Sequence, residues 1–228
     1  RYVGSNASGD VLTGLDENTI WNLQGFKLYT SGDHSLDLAG VEILRGGNGD
    51  DTFIIKGSIN FLLDGGGGNN TLDYSQYNKA ISVDLENLSA TGLSSFTNIQ
   101  NLIGSLYADT LIGSDAGSTF IITGTDTGSI NGTLSFTGFE NLVGGSGNDI
   151  FLISGSGNIS GKVDGGAGND TLDYSYYDQA VTVNLADGIA PGINDGEETG
   201  ISSIENITGS AFDDTLIGDD GSNIIKGG

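Results

Sequence analysis

Aspartates set at one fixed place in a glycine-rich turn are the residues of this chain best equipped for chemistry. Three turns show the pattern complete: Gly46-Gly47-Asn48-Gly49-Asp50-Asp51, Gly144-Gly145-Ser146-Gly147-Asn148-Asp149 and Gly165-Gly166-Ala167-Gly168-Asn169-Asp170. Glycine takes positive φ, and so turns carbonyl oxygens inward, more cheaply than any other residue. The sixth-place aspartate adds a charged oxygen. Hard oxygens gathered in this way suit calcium, which takes six to eight of them at about 2.3–2.6 Å in a tolerant geometry. One turn offers too few, so two turns stacked one coil apart must share an ion.

Two such pairs are present. Turn 144–149 with turn 165–170 is the better site, because Asp149 and Asp170 are both in place. Turn 46–51 pairs with Gly65-Gly66-Gly67-Gly68-Asn69-Asn70, where Asn70 offers an oxygen without a charge and predicts weaker binding. Asp64 and Asp164, each just before a double glycine, are further candidate ligands. Asp10, Asp109 and Asp214 occupy the sixth place of poorer turns; 104–109 and 209–214 keep only the first glycine and the aspartate. A metal-free turn in which the carboxylate bonds its own backbone explains those at least as well.

The elements that position these turns are read from a longer pattern. Ten nonapeptides start at Ser5, Gly14, Gly46, Gly65, Gly104, Gly113, Gly144, Gly165, Gly209 and Gly218. Their eighth residue is always large and apolar: Leu12, Trp21, Phe53, Leu72, Leu111, Phe120, Phe151, Leu172, Leu216 and Ile225. Turn, cation grip and core plug in that order describe half a coil of a β-solenoid. Contiguous nonapeptides fall on opposite edges of a coil and cannot share an ion. The series recurs after about a hundred residues, as in Thr71-Leu72-Asp73-Tyr74-Ser75 and Thr171-Leu172-Asp173-Tyr174-Ser175. Residues 1–228 therefore read as one elongated body, with super-repeats 5–103 and 104–208 and the start of a third at 209–228. The expected fold is all-β: a parallel β-solenoid (β-roll or β-helix) of about 20 residues per coil and about eleven coils, about 50 Å long at about 4.8 Å per strand spacing. No capping segment is evident at either end, which reads as a piece of a longer array or a unit that stacks on copies of itself.

The three complete turns fit Gly-Gly-x-Gly-x-Asp-x-U-x, and on them the sequence resembles the RTX, or haemolysin-type calcium-binding repeat, family. The segment Phe136-Thr-Gly-Phe139-Glu140-Asn141-Leu142-Val-Gly144 also looks like repeats tiled along giant bacterial surface proteins. The resemblance implies export of an unfolded chain into calcium-rich medium, where the ion triggers folding.

Composition narrows the function further. Seven basic residues stand against thirty acidic ones, a formal net charge of −23. Nucleic acid is excluded as a partner, since no basic patch can displace its counterions. No apolar run reaches the roughly 18 residues of a transmembrane segment. There is no cysteine and hence neither disulfide nor thiolate site. His34 is the only histidine, in a polar loop; one histidine cannot supply a zinc-protease motif. Few basic residues make a poor groove for an anionic polysaccharide. The chain thus reads as no enzyme. It reads as a calcium-binding structural module of a secreted bacterial surface protein, an adhesin stalk or extracellular filament. Calcium is its cofactor, and other copies of itself or surface glycans are its candidate partners. The alternatives are the non-catalytic calcium-dependent region of a secreted hydrolase or epimerase, and a carbohydrate-binding adhesive module built on Tyr74, Tyr77, Tyr174, Tyr176 and Tyr177. Packing under a loop accounts better for those tyrosines. Asn101, Asn141 and Asn206 read as turn residues bonding to adjacent coils.

Overall fold

The structure, a computed structural model, describes residues 9–25, 27–29, 35–37 and 40–228. His34 and residues 5–8 of the first nonapeptide lie outside them. Among the described residues there is no α-helix; a single 3-10 turn, Asn194–Gly196, sits in the acidic stretch before Gly200. Short strands separated by glycine turns leave no run long enough for helical periodicity. The chain is all-β.

It forms two compact units, Arg1–Val83 with Asn87–Tyr107, and Asp84–Glu86 with Ala108–Gly228. In the first, strands Val11–Thr13, Ile43–Arg45, Leu62–Asp64 and Ser95–Thr97 make a parallel sheet. Ile20–Gln24, Thr52–Ile55, Thr71–Asp73 and Asn101–Ile103 make a second parallel ladder. In the second unit, Thr110–Ile112, Asn141–Gly145, Val163–Gly166 and Ile201–Ser202 run parallel. Beside them Thr119–Gly124, Ile150–Gly155, Thr171–Tyr177, Asn206–Thr208 and Ile224–Lys226 form another parallel ladder. Contiguous nonapeptides do send their strands to different ladders, as Val11–Thr13 and Ile20–Gln24 show.

The repeat spacing is the strand register. Eighth-place residues of successive full repeats face each other, Phe53 opposite Leu72 and Phe151 opposite Leu172. The uniform coil length expected from the repeats does not hold throughout, however. Trp21 pairs with Phe53, Leu72 with Leu102, Phe120 with Phe151 and Leu172 with Ile207, each a much longer step along the chain. Two of these long steps carry antiparallel excursions: Lys27–Tyr29 and Ser35–Asp37 after Ile20–Gln24, and Thr127–Ile130 and Leu134–Thr137 after Thr119–Gly124. A ladder constrains only the strands that pair, so the chain between rungs is free to lengthen.

The eighth-place residues plug the core as their pattern requires. Trp21, Phe53, Leu72, Leu111, Phe120, Phe151 and Leu172 are buried. Leu12 and Leu216 are half-buried, and Ile225 is 44 % exposed on an edge strand bonded on one side only. Aromatic plugs stack strand on strand: Trp21 on Phe53 with centroids 6.0 Å apart, Phe120 on Phe151 at 4.8 Å. Tyr74 and Tyr174 are fully buried, and their hydroxyls donate to the carbonyls of Thr91 and Pro191 at 2.8 and 2.7 Å. They fasten a loop over the core, which leaves Tyr176, 70 % exposed, as the open ring among them.

Candidate metal centre

The strands carry the glycine turns into stacks. Each stack has three turns, not the two read from sequence: 14–19, 46–51 and 65–70 in the first unit, and 113–118, 144–149 and 165–170 in the second. Close approach is what demands glycine. Gly166 and Gly168 hold φ of +90° and +132°, and a methyl group on either would strike the carbonyl oxygen of Gly145 or Gly147 in the turn beneath. Backbone bonds set the spacing, with the Ala167 N–H on the Gly145 carbonyl and the Gly67 N–H on the Gly47 carbonyl, both at 2.9 Å.

Side chains then zip the turns together in both directions. Fifth-place residues accept from the turn that follows: Asn148 Oδ1 takes the Asn169 N–H at 2.9 Å, and Asp50 Oδ1 the Asn69 N–H at 2.7 Å. Sixth-place residues accept from the turn before. Asp149 Oδ1 takes the Ser118 N–H at 2.6 Å, and Asp170 Oδ1 takes the Asp149 N–H at 2.7 Å. The Asp170 N–H in turn donates to Glu205 Oε2 at 2.8 Å. Asp149 is 1 % and Asp170 0 % exposed.

Each of these two carboxylates has its second oxygen, Oδ2, buried with no hydrogen-bond partner. A buried charged oxygen without a donor is costly unless a cation completes it. Asp149 Oδ2 shares its place with the Gly165 carbonyl oxygen, both against the Cα of Gly144; a methyl there would meet them both. Burial pushes the Asp170 carboxyl up to about 6, and the neighbouring charges of Asp149, Glu205 and Asp164 push the same way. Burial also raises Asp149, with Asp115 adding to it. Among the described residues no three acidic or histidine side chains gather as a metal cluster. That suits a site made mainly of backbone carbonyls with one carboxylate per turn, the donor set of a hard cation. The residues fit calcium: Asp149 beside the Gly165 carbonyl, and Asp170 beside the carbonyl that meets Gly165, would each hold it with backbone oxygens, and it would supply the positive charge these oxygens lack.

The first stack is built differently. Asp51 is buried, but its Oδ1 accepts the Thr19 N–H at 3.0 Å and its Oδ2 the Gly47 N–H at 2.9 Å. Asn70 is not the oxygen donor expected of it. Its Oδ1 is taken by the Asp51 N–H at 2.9 Å, the same ladder bond that claims one oxygen each of Asp51, Asp149 and Asp170. Asp64 is committed too: Oδ2 pairs with Arg45 Nε at 2.7 Å, while Oδ1 accepts from Gly66 N–H and Asn98. Burial lifts Asp64, yet the bonds from Asn98, Arg45 and Gly66 outweigh it and hold the carboxyl below its ordinary value. Asp164 caps its own turn through the Gly166 N–H at 3.1 Å.

Asp214 takes the metal-free form. Its Oδ1 accepts from Val181 N–H and Ser210 Oγ, and its Oδ2 from Ser210 N–H. The N–H groups of Asp10 and Asp109 donate to Glu42 and Glu140. With Gln100, which accepts the Asn70 N–H at 2.8 Å, and Glu205, these form a class absent from the sequence reading. Where the next strand of the ladder follows no glycine turn, a longer Glu or Gln reaches back to take the sixth-place N–H. The signal was there, since Glu42, Gln100, Glu140 and Glu205 each stand two residues before a core Leu or Ile. The asparagines after three of them bond to the preceding turn in the ladder, Asn141 Nδ2 to the Asp109 carbonyl at 3.1 Å for one.

The family model of the RTX calcium-binding nonapeptide repeat matches in four copies, at residues 38–54, 135–158, 162–174 and 199–228. The chain carries RTX repeats. RTX nonapeptides bind calcium, and calcium is the ion these repeats take. Copies two and three of the RTX match hold the turns of Asp149 and Asp170, and the first holds that of Asp51. The turn of Asn70 lies outside all four. No curated protein matches the chain.

Proposed function

We propose that this calcium-binding RTX module is a parallel β-solenoid that folds on binding calcium and serves as a rigid structural unit of a secreted bacterial surface protein. The observation that carries the reading is the pair of buried, donorless Oδ2 atoms of Asp149 and Asp170 in stacked glycine turns. A ligand that binds only the folded chain adds to its stability, and here it also relieves the repulsion behind a net charge of −23. RTX repeats occur in secreted bacterial proteins, and no helix among the described residues is long and apolar enough to cross a membrane. The burial of Tyr74 and Tyr174 favours the structural role over sugar binding. Scarce basic residues and a lone histidine support a non-catalytic role for these residues.

The test is a calcium titration of chelated protein, followed by circular dichroism and Trp21 fluorescence. β-structure is incomplete in chelator and completes only as calcium rises, the Trp21 spectrum reporting the first unit, and magnesium does not substitute. A chelated protein already folded and binding no ion would overturn the reading.

A further inference from the structure

Two steps a hundred residues apart satisfy equivalent oxygens by opposite means. In the first unit turn 65–70 meets the bend at Asn98; in the second, turn 165–170 meets the bend at Ser203. Asn98 and Ser203 have left-handed φ of 55° and 53°. Each presents its carbonyl oxygen against the first glycine of the turn, Gly65 or Gly165. Asn70 Oδ1 and Asp170 Oδ1 make the same ladder bond, to the N–H groups of Asp51 and Asp149.

The second side-chain atom differs. Asn70 Nδ2 donates to the carbonyls of Gly67 at 2.9 Å and Asn98 at 3.0 Å, bridging its own turn to the bend. Exchanging the amide atoms would set NH2 against N–H and oxygen against two carbonyls, so the orientation is fixed by its partners. Asp170 Oδ2 instead lies buried without a donor, crowded with the Ser203 carbonyl onto Gly165. Where the first unit has a donor, the second has one more acceptor. The next group repeats the contrast: neutral Gln100 receives the Asn70 N–H, charged Glu205 that of Asp170.

We propose that the Asn70 amide takes the place of a cation between turn 65–70 and the Asn98 bend, and that Asp170 holds calcium between turn 165–170 and the Ser203 bend. The inference rests on the calcium reading above. It divides calcium dependence within one chain: the step at Asn70 closes without the ion, and the step at Asp170 requires it. The assigned position lies beyond turn pair 144–149 and 165–170, on the side of Asp170 away from Asp149.

The full chain, stripped with chelator, is titrated with calcium by calorimetry as the native form, Asn70→Asp and Asp170→Asn. Amide exchange is followed in parallel over 71–73 and 171–177. Asn70→Asp binds one ion more than the native chain and Asp170→Asn one fewer. In chelator the native chain protects 71–73 but not 171–177, and Asp170→Asn restores protection there. At calcium about a hundred times Kd, exchange of 171–177 slows about a hundredfold in the native chain. Equal stoichiometry in all three chains overturns the assignment and leaves calcium binding by the other turns intact. No calcium bound by any of them overturns it together with the reading on which it rests. Since Asn70 shows that this place accepts an amide, and Asn70→Asp is read independently, misfolding of one variant leaves the other decisive.

Discussion

Phe120 lies flat on Phe151, ring centroids 4.8 Å apart and planes 10° from parallel. That separation matches the spacing of neighbouring strands, so the aromatic stack and the turn stack above it share one repeat distance. Phe151→Ala removes a ring from a fully buried column and costs about 3–5 kcal/mol. Denaturation in saturating calcium reads the loss, and calcium affinity falls with it because turn 144–149 leads into the same strand.

Acid weakens calcium binding. Asp170, held near 6 by burial and by the charges around it, must be ionised to bind the ion, so affinity falls as pH drops through about 6. In chelator the sign reverses. Between an unfolded aspartate value of about 3.9 and about 6 the folded chain holds the extra proton, so this group's contribution to stability falls as pH rises across that window and levels off above it. Denaturant midpoints from pH 4 to 7.5 measure both, and Asp170→Asn removes this part of the slope.

Gly166→Ala and Gly132→Ala separate conformation from crowding. Both residues have positive φ, but a methyl at Gly132 meets nothing within 4 Å, whereas at Gly166 it strikes the Gly145 carbonyl. Gly132→Ala costs about 1 kcal/mol for the left-handed backbone alone. Gly166→Ala costs more than that and lowers calcium affinity, which thermal melts with and without calcium resolve.

Glu205 serves Asp170 in two ways, as acceptor of its N–H and as a nearby charge. Glu205→Gln keeps the acceptor, as Gln100 does in the first unit, and lowers the Asp170 carboxyl toward its ordinary value. Glu205→Ala leaves a part-buried N–H unmet at about 1–3 kcal/mol. Carboxyl titration by NMR distinguishes the two variants.

Tyr174→Phe loses only the bond to Pro191, about 0.5–1.5 kcal/mol, and leaves binding on a glycan array unchanged. Reduced glycan binding by this variant would assign the tyrosines a recognition role.

What the sequence revealed is what local pattern controls. The separations between full glycine turns reappear as the registers of Phe53 on Leu72 and Phe151 on Leu172, because identical turns must stack for their carbonyls to meet. Asp149 and Asp170 stood out for the same reason. The third turn of each stack was hidden, since 14–19 and 113–118 keep one glycine of the motif and sit 32 and 31 residues away along the chain. Asn70 was misjudged because its two side-chain atoms have opposite hydrogen-bonding sense, and only the ladder decides which faces the turn. The roles of Glu42, Gln100, Glu140 and Glu205 depend on reach across a coil without a glycine turn, which spacing alone does not show.

Rungs in one ladder sit anywhere from 18 to 35 residues apart along the chain and still pair in register. The intervening hairpin Thr127–Ile130 with Leu134–Thr137 turns at Gly132, whose surroundings are empty. Such a position is a natural splice point. New sequence can enter there, by evolution or by hand, and vary what the module displays while every ion-holding turn stays where it was.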